Sequence, residues 1–169
     1  MDLRSKTIKL RTVIEEDADF ILSLRLDPRY NLFLSKVDNN IQAQKKWISA
    51  YKELEKSGQE YYFIIERLDG TACGTVRLYD FREDSFCWGS WILNDNKTAS
   101  SALESALLVY KFGFDYLKYT KCHFDVMKTN EKVISFHKKL GAEITNEDAK
   151  NYYFEIFPHS IAKIKKRYG

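Results

Sequence analysis

Three cysteines, two prolines and seven glycines are all that this 169-residue chain has of the residues that usually staple, stiffen or loosen a fold. The cysteines, Cys73, Cys87 and Cys122, are odd in number and stand in no Cys-x-x-Cys or Cys/His spacing. Each lies in an apolar, strand-like run, where a free thiol behaves as a small hydrophobe. That speaks against a disulfide frame and against a structural metal. No apolar stretch approaches the roughly 18 residues that a membrane helix needs, and the opening MDLRSKTIKLR has no apolar segment of a leader. The expectation is a reduced, cytoplasmic protein with no membrane partner. Excess charge is also missing. A net charge of +3 is too small to draw nucleic acid by itself. Only the end, Ile164–Gly169, is locally basic, and it reads as a solvated helix face; a weak phosphate-attracting field is what remains. With no repeat, linker or low-complexity segment either, residues 1–169 read as one domain around one core.

What is present is periodic. Apolar residues make up 44% of the chain and charged ones 30%, the balance of an ordered globular domain. Thr7–Arg11 alternates as a first strand. Thr12 and Glu15 have capping-box spacing, and Ala18, Ile21, Leu22 and Leu24 form a helical stripe that stops at Asp27-Pro28. Asn40 suits the cap of a second helix with stripe Ile41, Ile48 and Tyr51, and Gly58 suits its end. Tyr61–Arg67 is a strand apolar on nearly both faces. Asp69-Gly70 is a hairpin turn into Thr71–Asp80, and Ser85–Leu93 is a third antiparallel run. The stripe Leu103, Ala106, Leu107, Tyr110, Phe114 and Leu117 predicts a helix of about five turns. Strand Lys121–Lys128, helix Glu131–Leu140, a strand-like Ala142–Ile144, strand Tyr152–Phe157 and a basic helical end follow. The order β-αα-βββ-α-β-α-ββ-α predicts an α/β layer fold around one mixed sheet.

The run NEKVISFHKKLGA, Asn130–Ala142, carries the most chemistry. It places an Asn at a strand-to-helix turn and a His two helical turns on, on roughly the same side. Glycine then closes the helix. Just upstream, alternation sets His123, Asp125 and Met127 on one face of a strand that reads as buried. An Asp there is expensive unless it is paired or functional, and burial would raise its pKa. Pairing with Arg77 or a lysine is the structural alternative. Between strand and helix, Asp95–Ser101 is a loop where backbone N–H groups and a helix dipole suit an anion, or where Ser and Thr merely cap a helix.

This segment resembles the CoA-binding half of the GNAT family of acyl-CoA N-acyltransferases. In that pattern Asn is followed by a β-branched residue (here Val133), an apolar residue (Phe136), Tyr or less often His (His137), a charged pair and a glycine. Gly74 stands where GNAT sequences usually have a strand glycine, and the element order matches over nearly the whole chain. The resemblance implies a single GNAT-like domain with a mixed, mostly antiparallel, twisted sheet and helices on both faces. It implies acetyl-CoA as cosubstrate and no metal. Trp91, Ile92 and Leu93 would meet the pantetheine arm, and a backbone N–H there would polarise the thioester carbonyl. Lys97, Thr98, Ala99, Ser100, Ser101 and Ala102 would face the pyrophosphate, with Asn130, Val133, Phe136 and His137 completing the cofactor side. The sequence departs from the family's Q/R-x-x-G-x-G/A loop: Asp95 replaces the Gln or Arg, and Thr98 and Ser100 replace the glycines. Hydroxyl donors take over there in place of bare backbone.

By the same resemblance, His137 stands at the family's Tyr and would protonate the departing thiolate, with a pKa nearer neutrality. Asp125, five residues before Asn130, would be the general base, with Glu104, Glu83 or a water chain as replacements. Residues Tyr30–Trp47 and Tyr152–His159 would line the acceptor side. They are rich in Tyr, Phe and Asn and poor in acid. That suits the amine of an amino-deoxysugar nucleotide better than a polyamine. A ribosomal-protein-type N-terminal acetyltransferase is the rival of the same class. A non-catalytic GNAT-fold CoA-binding module, suggested by the glycine-less loop, is the rival of another. The expected partner is a small-molecule amine, with the chain a monomer or homodimer.

Overall fold

The computed structural model describes residues 2–32 and 36–168, the last by its backbone alone. Seven strands form one sheet in the order β1-β2-β3-β4-β5-β7-β6. These are β1 Ile8–Thr12, β2 Tyr61–Arg67, β3 Ala72–Tyr79, β4 Ser85–Leu93, β5 Lys121–Met127, β6 Glu143–Glu147 and β7 Asn151–Ile156. Every neighbouring pair is antiparallel except β4 and β5, which run parallel. Among the described residues five α-helices accompany it: α1 Ala18–Leu26, α2 Ile41–Lys56, α3 Ser101–Tyr110, α4 Glu131–Lys139 and α5 Pro158–Tyr168. Among the described residues no helix is long and apolar enough to cross a membrane.

Strand alternation divides the core between two faces. On one, Tyr62 and Ile64 of β2 pack beneath Ile21 of α1 and Ile48 and Tyr51 of α2. On the other, Phe63, Val76, Leu78, Phe86 and Phe124 meet Val109, Phe112 and Phe114, with Ile161 and Ile164 of α5. The two faces therefore do different work. β6 is exposed along its whole length, a short polar edge strand that blunts edge pairing.

Local signals mostly act where the sequence predicts. The Asn40 carboxamide accepts from the Ala43 amide at 3.1 Å. Gly58, Gly70 and Gly141 all have positive φ, the conformation that a helix stop or an Asp-Gly turn requires. Two predictions fail. Thr12 remains in β1, and the helix entry is instead organised by Asp17, whose carboxylate accepts from the Ile14 amide at 2.8 Å and grips Arg11. The predicted five-turn helix is α-helical only to Tyr110; Lys111–Tyr116 widens into a π turn, with Leu117 N–H bonding Phe112 C=O. There the Phe86 ring sits so close to Gly113 that a Cβ would lie 2.2 Å from it.

Candidate active site

β4 and β5 pair only at Ser85↔Lys121 and Phe86↔Cys122, and then diverge. β5 keeps its full ladder to β7 on the other side, from Cys122 to Met127. From Trp88 onward the β5-facing backbone of β4 is thus freed from the ladder. The gap is a cavity of about 630 Å³. β4 contributes Trp88, Gly89, Trp91, Ile92 and Leu93; β5 contributes Phe124 to Met127; Asn130 stands just before α4, which contributes Lys132, Val133 and His137; the segment after α1 adds Arg29 and Tyr30.

A β-bulge shapes this wall. Thr75 pairs with Ile92 and Arg77 with Gly89, so β4 carries one residue more than β3 between those pairs. Ser90 takes it up at φ +49°, uncommon outside glycine. Its carbonyl accepts from the Thr75 hydroxyl at 3.2 Å. Gly74 permits the arrangement: a Cβ there would stand 2.2 Å from the Ile92 carbonyl oxygen. Past the bulge the alternation of β4 is reversed, so Trp91 packs on Phe136, with ring centroids 5.2 Å apart, and donates to Ser105 at 3.1 Å. Ile92 and Leu93 both line the cavity beside it.

His137 also lines the cavity, but not as an acid near neutrality. It is only 4% exposed, enclosed by Phe124, Trp88, Phe136 and Phe154 at ring-centroid distances of 4.2, 5.5, 5.7 and 6.0 Å. Nδ1 is buried with no hydrogen-bond partner among the described residues. Burial alone pushes the pKa down to about 3. Burial thus favours the neutral imidazole, in contrast to the pKa nearer neutrality that the resemblance implies.

Asp125 corrects the sequence in the opposite sense. The strand is buried around it, yet Asp125 itself is exposed. Its expected structural partner is engaged elsewhere, since Arg77 pairs with Glu60 at 3.1 Å. Asp125 lines the large cavity and also a second groove of about 400 Å³, built with Tyr79, Cys87, His123 and Tyr153. The two open spaces meet at this carboxylate. His123 is held in that groove, its Nε2 2.9 Å from Asp80 and its Nδ1 on the Ser85 hydroxyl.

Asn130 makes no side-chain cap to α4 and lines the cavity. The loop expected to face phosphate is organised differently from the expectation. Lys97, Thr98, Ala99, Ser100, Ser101 and Ala102 do not line the large cavity, nor does Phe136, which packs behind it on Trp91. The hydroxyls of Thr98 and Ser101 bond each other at 2.8 Å, and Thr98 bonds the Thr7 hydroxyl at 2.7 Å. Glu104, buried in the first turn of α3, accepts from the Thr7 amide at 2.8 Å and from the Thr7 and Ser100 hydroxyls. Burial opposes its charge, but the bonds from Ser100 and Thr7 outweigh it and hold the carboxyl below its ordinary pKa. Asp95 is paired with Arg29 at 2.8 Å. Sequence reasoning missed Arg29, a loop residue that no periodicity or motif marks, and Lys132, which lies on α4 between the residues the pattern names; Tyr30, expected on the acceptor side, lines this cavity as well.

A sheet opened between its two parallel strands, with the Asn130-to-His137 helix on one wall and the Asp125 carboxylate on the other, is the arrangement that the resemblance to CoA-dependent acyltransferases implies. The family described as Acetyltransferase (GNAT) domain matches residues 7–143, and the chain belongs to it. It is an acetyl-CoA-dependent N-acyltransferase. Among solved structures it is similar to apo FdhC, a nucleotide-linked sugar GNAT, at 48% identity and a TM-score of 0.92, over 99% of this chain and 96% of that one. It is similar in fold to the ribosomal-protein-S5-alanine acetyltransferase of Vibrio fischeri, at 14% identity and a TM-score of 0.80, over 93% and 96% of the two chains. A curated relative, the SPbeta prophage-derived uncharacterized N-acetyltransferase YokL of Bacillus subtilis (strain 168), is 25% identical over 80% of this chain and 76% of its own.

Proposed function

We propose that this protein acetylates the primary amine of a nucleotide-linked amino sugar by direct attack on acetyl-CoA. The similarity to FdhC at 48% identity over 99% of the chain carries the substrate class. The acceptor stretches agree with it. Tyr30–Trp47, of which residues 33–35 lie outside the described ones, and Tyr152–His159 offer aromatic and neutral polar groups in place of the carboxylate cluster a polyamine needs.

The cleft between β4 and β5 suits the thioester arm, because a diverging strand offers unpaired backbone donors and acceptors to an extended ligand. A backbone N–H among Trp91, Ile92 and Leu93 polarises the thioester carbonyl. The amine arrives from the Asp125 groove. Asp125, or a water it holds, takes the ammonium proton, and the free amine attacks the carbonyl carbon as the C–S bond breaks and the thiolate leaves; the second proton on the attacking nitrogen passes to that thiolate, giving the neutral amide and the CoA thiol. A thiol has an ordinary pKa near 8.5, so its thiolate leaves without a strong acid. His137 serves as a neutral hydrogen-bond donor to the departing sulfur. Asn130 and Lys132 bind on the cofactor side, and the N-terminus of α3 presents backbone amides to an anion, those of Lys97, Thr98 and Ser101 being engaged within the loop.

The test is thiol release from acetyl-CoA with a panel of nucleoside diphosphate-linked amino sugars, free amino sugars, spermidine and peptides with free N-termini. The nucleotide-linked sugars should give the highest kcat/KM. Preference for peptides would transfer the chain to the N-terminal acetyltransferase reading. A melting-temperature shift with acetyl-CoA but no thiol release on any amine would overturn the catalytic assignment.

A further inference from the structure

A third cavity, of about 310 Å³, lies under α1 and α2 on the sheet face that carries Asp125. Three cations line it, Arg25 from α1, Lys36 from the α1–α2 connection and Arg77 from β3, and none of its lining residues is a carboxylate. Glu60 offsets one charge by its 3.1 Å pair with Arg77, and Asp38 lies on the outer, adjoining cleft. The cavity floor contains buried donors left without acceptors. The Tyr62 hydroxyl, on a residue 2% exposed, is buried with no hydrogen-bond partner among the described residues, and Arg25 and Thr75 stand near it. Arg77 Nε is likewise buried and unpartnered among the described residues. Buried donors are almost always satisfied, so an orphaned pair beside clustered cations marks the place of an absent acceptor.

One wall is aromatic. Trp47 stacks on Tyr51, with centroids 5.8 Å apart and planes within 7°, and remains 38% exposed at the cavity. Such a ring offers a π surface to a flat heterocycle. The cavity also adjoins the active site across a single strand. Ser90 lines it, while its neighbours Gly89 and Trp91 line the acyl-CoA cleft. The bulge at Ser90 makes this possible by turning one residue of β4 away from the cleft.

We propose that this cavity binds the nucleoside diphosphate of the acceptor: the diphosphate on Arg25, Lys36, Arg77 and the Tyr62 hydroxyl, the base against Trp47. The assignment deepens the proposed function and rests on it for the sugar. A diphosphate anchored here directs the sugar along Arg77 and Tyr79, which stack with the guanidinium 4.3 Å from the ring centroid, towards Asp125. Anchoring a distant part of the substrate in this way lets its binding energy position the amine.

The test is calorimetric titration of the full-length protein with thymidine diphosphate, uridine diphosphate and inorganic pyrophosphate, with CoA at saturation so that the cofactor's phosphate sites are filled. Lys36→Ala alters an exposed side chain and should fold normally; Arg25→Gln removes the second charge. Each should weaken nucleoside diphosphate binding about 10-fold or more. Trp47→Leu should weaken the nucleoside diphosphates and leave pyrophosphate unchanged. In turnover, Lys36→Ala and Arg25→Gln should raise KM for a nucleotide-linked amino sugar and spare KM for acetyl-CoA. Absence of diphosphate binding, or binding equal in wild type and both charge variants, overturns the site. If the diphosphates bind as expected but no nucleotide-linked sugar is acetylated, the proposed function falls and the anion site stands. If such sugars are acetylated with KM unmoved by either substitution, the activity stands and the site falls.

Discussion

The guanidinium of Arg29 lies 2.8 Å from the carboxylate of Asp95 and bridges the segment after α1 to the loop before α3. Arg29 also lines the cleft between β4 and β5. Asp95 stands at the Gln or Arg position of the loop pattern that the resemblance implies, and alone it would repel a phosphate. Paired with Arg29, its charge is offset at the cavity mouth. Arg29 is also held by Asp27 at 2.8 Å. The three charges act as a local network, in high dielectric and screened by salt.

Arg29→Ala should therefore raise KM for acetyl-CoA about 3- to 10-fold with little change in melting temperature, since an exposed pair adds little stability. Asp95→Asn in the Arg29→Ala background should restore part of the loss. Initial-rate kinetics at two salt concentrations check this, with the defect smaller at high salt. Equal KM in wild type and Arg29→Ala would show that Arg29 has no part in the cofactor's field.

Asp125→Asn should lower kcat/KM about 10²–10³-fold and remove the acidic limb of its pH profile, because the amide cannot take the proton. The exposed position, with no ion pair to Asp125 among the described residues, predicts a melting temperature close to wild type, within about 0.5 kcal/mol of stability. A near-normal rate with an unchanged pH profile would transfer the base to a water chain.

His137 separates stability from titration. Its pKa is about 3 in the folded chain against 6.5 as the ordinary value. The unfolded chain therefore binds a proton that the folded chain refuses between those pH values. Stability is intact above about pH 6.5 and falls as pH drops below it, by up to about 1.4 kcal/mol per pH unit. His137→Phe keeps the ring packing and should lose this component, so its melting temperature should fall less between pH 7 and pH 5. His137→Ala leaves a hole among Phe124, Trp88 and Phe154 and should cost about 2–4 kcal/mol. The kcat profile of wild type should show no limb belonging to His137 between pH 5 and 8. A limb that vanishes only in His137→Phe would restore the imidazolium acid.

Glu104→Ala should cost about 1–3 kcal/mol, because it leaves the Thr7 amide and two hydroxyls without their acceptor. The folded pKa of Glu104 is lowered, so its contribution is present above about pH 4.5, its ordinary value, and is lost as pH falls through the folded value. Denaturant titration at pH 7 and pH 4 checks this, with a wild-type to variant gap that narrows at the lower pH. A constant gap would mean that the carboxylate is not the group that matters.

Local features of the sequence carried a large part of this protein. Period-two and period-3.6 apolar patterns, the Asn40 cap and the glycines at 58, 70 and 141 each act within a few residues. They therefore set the elements and their order without reference to the rest of the fold. The same holds for the Asn130–Gly141 segment, whose spacing delivers Asn130 and His137 to one cavity because both ride one short helix. Tertiary structure decided what depends on neighbours far away in the chain. Alternation told which face Asp125 takes but not that the sheet opens beside it, since the divergence of β4 from β5 is a property of two strands. Burial of His137 by rings from β4, β5 and β7 reversed its acid–base character, and no feature of the Lys-rich α4 sequence foretells that. The bulge at Ser90, relieved by Gly74 across the sheet, reset the faces of Trp91 and Ile92. Sequence spacing fixes geometry along one element; charge state, exposure and the meeting of cavities are sums over many elements, and only the folded chain performs that sum.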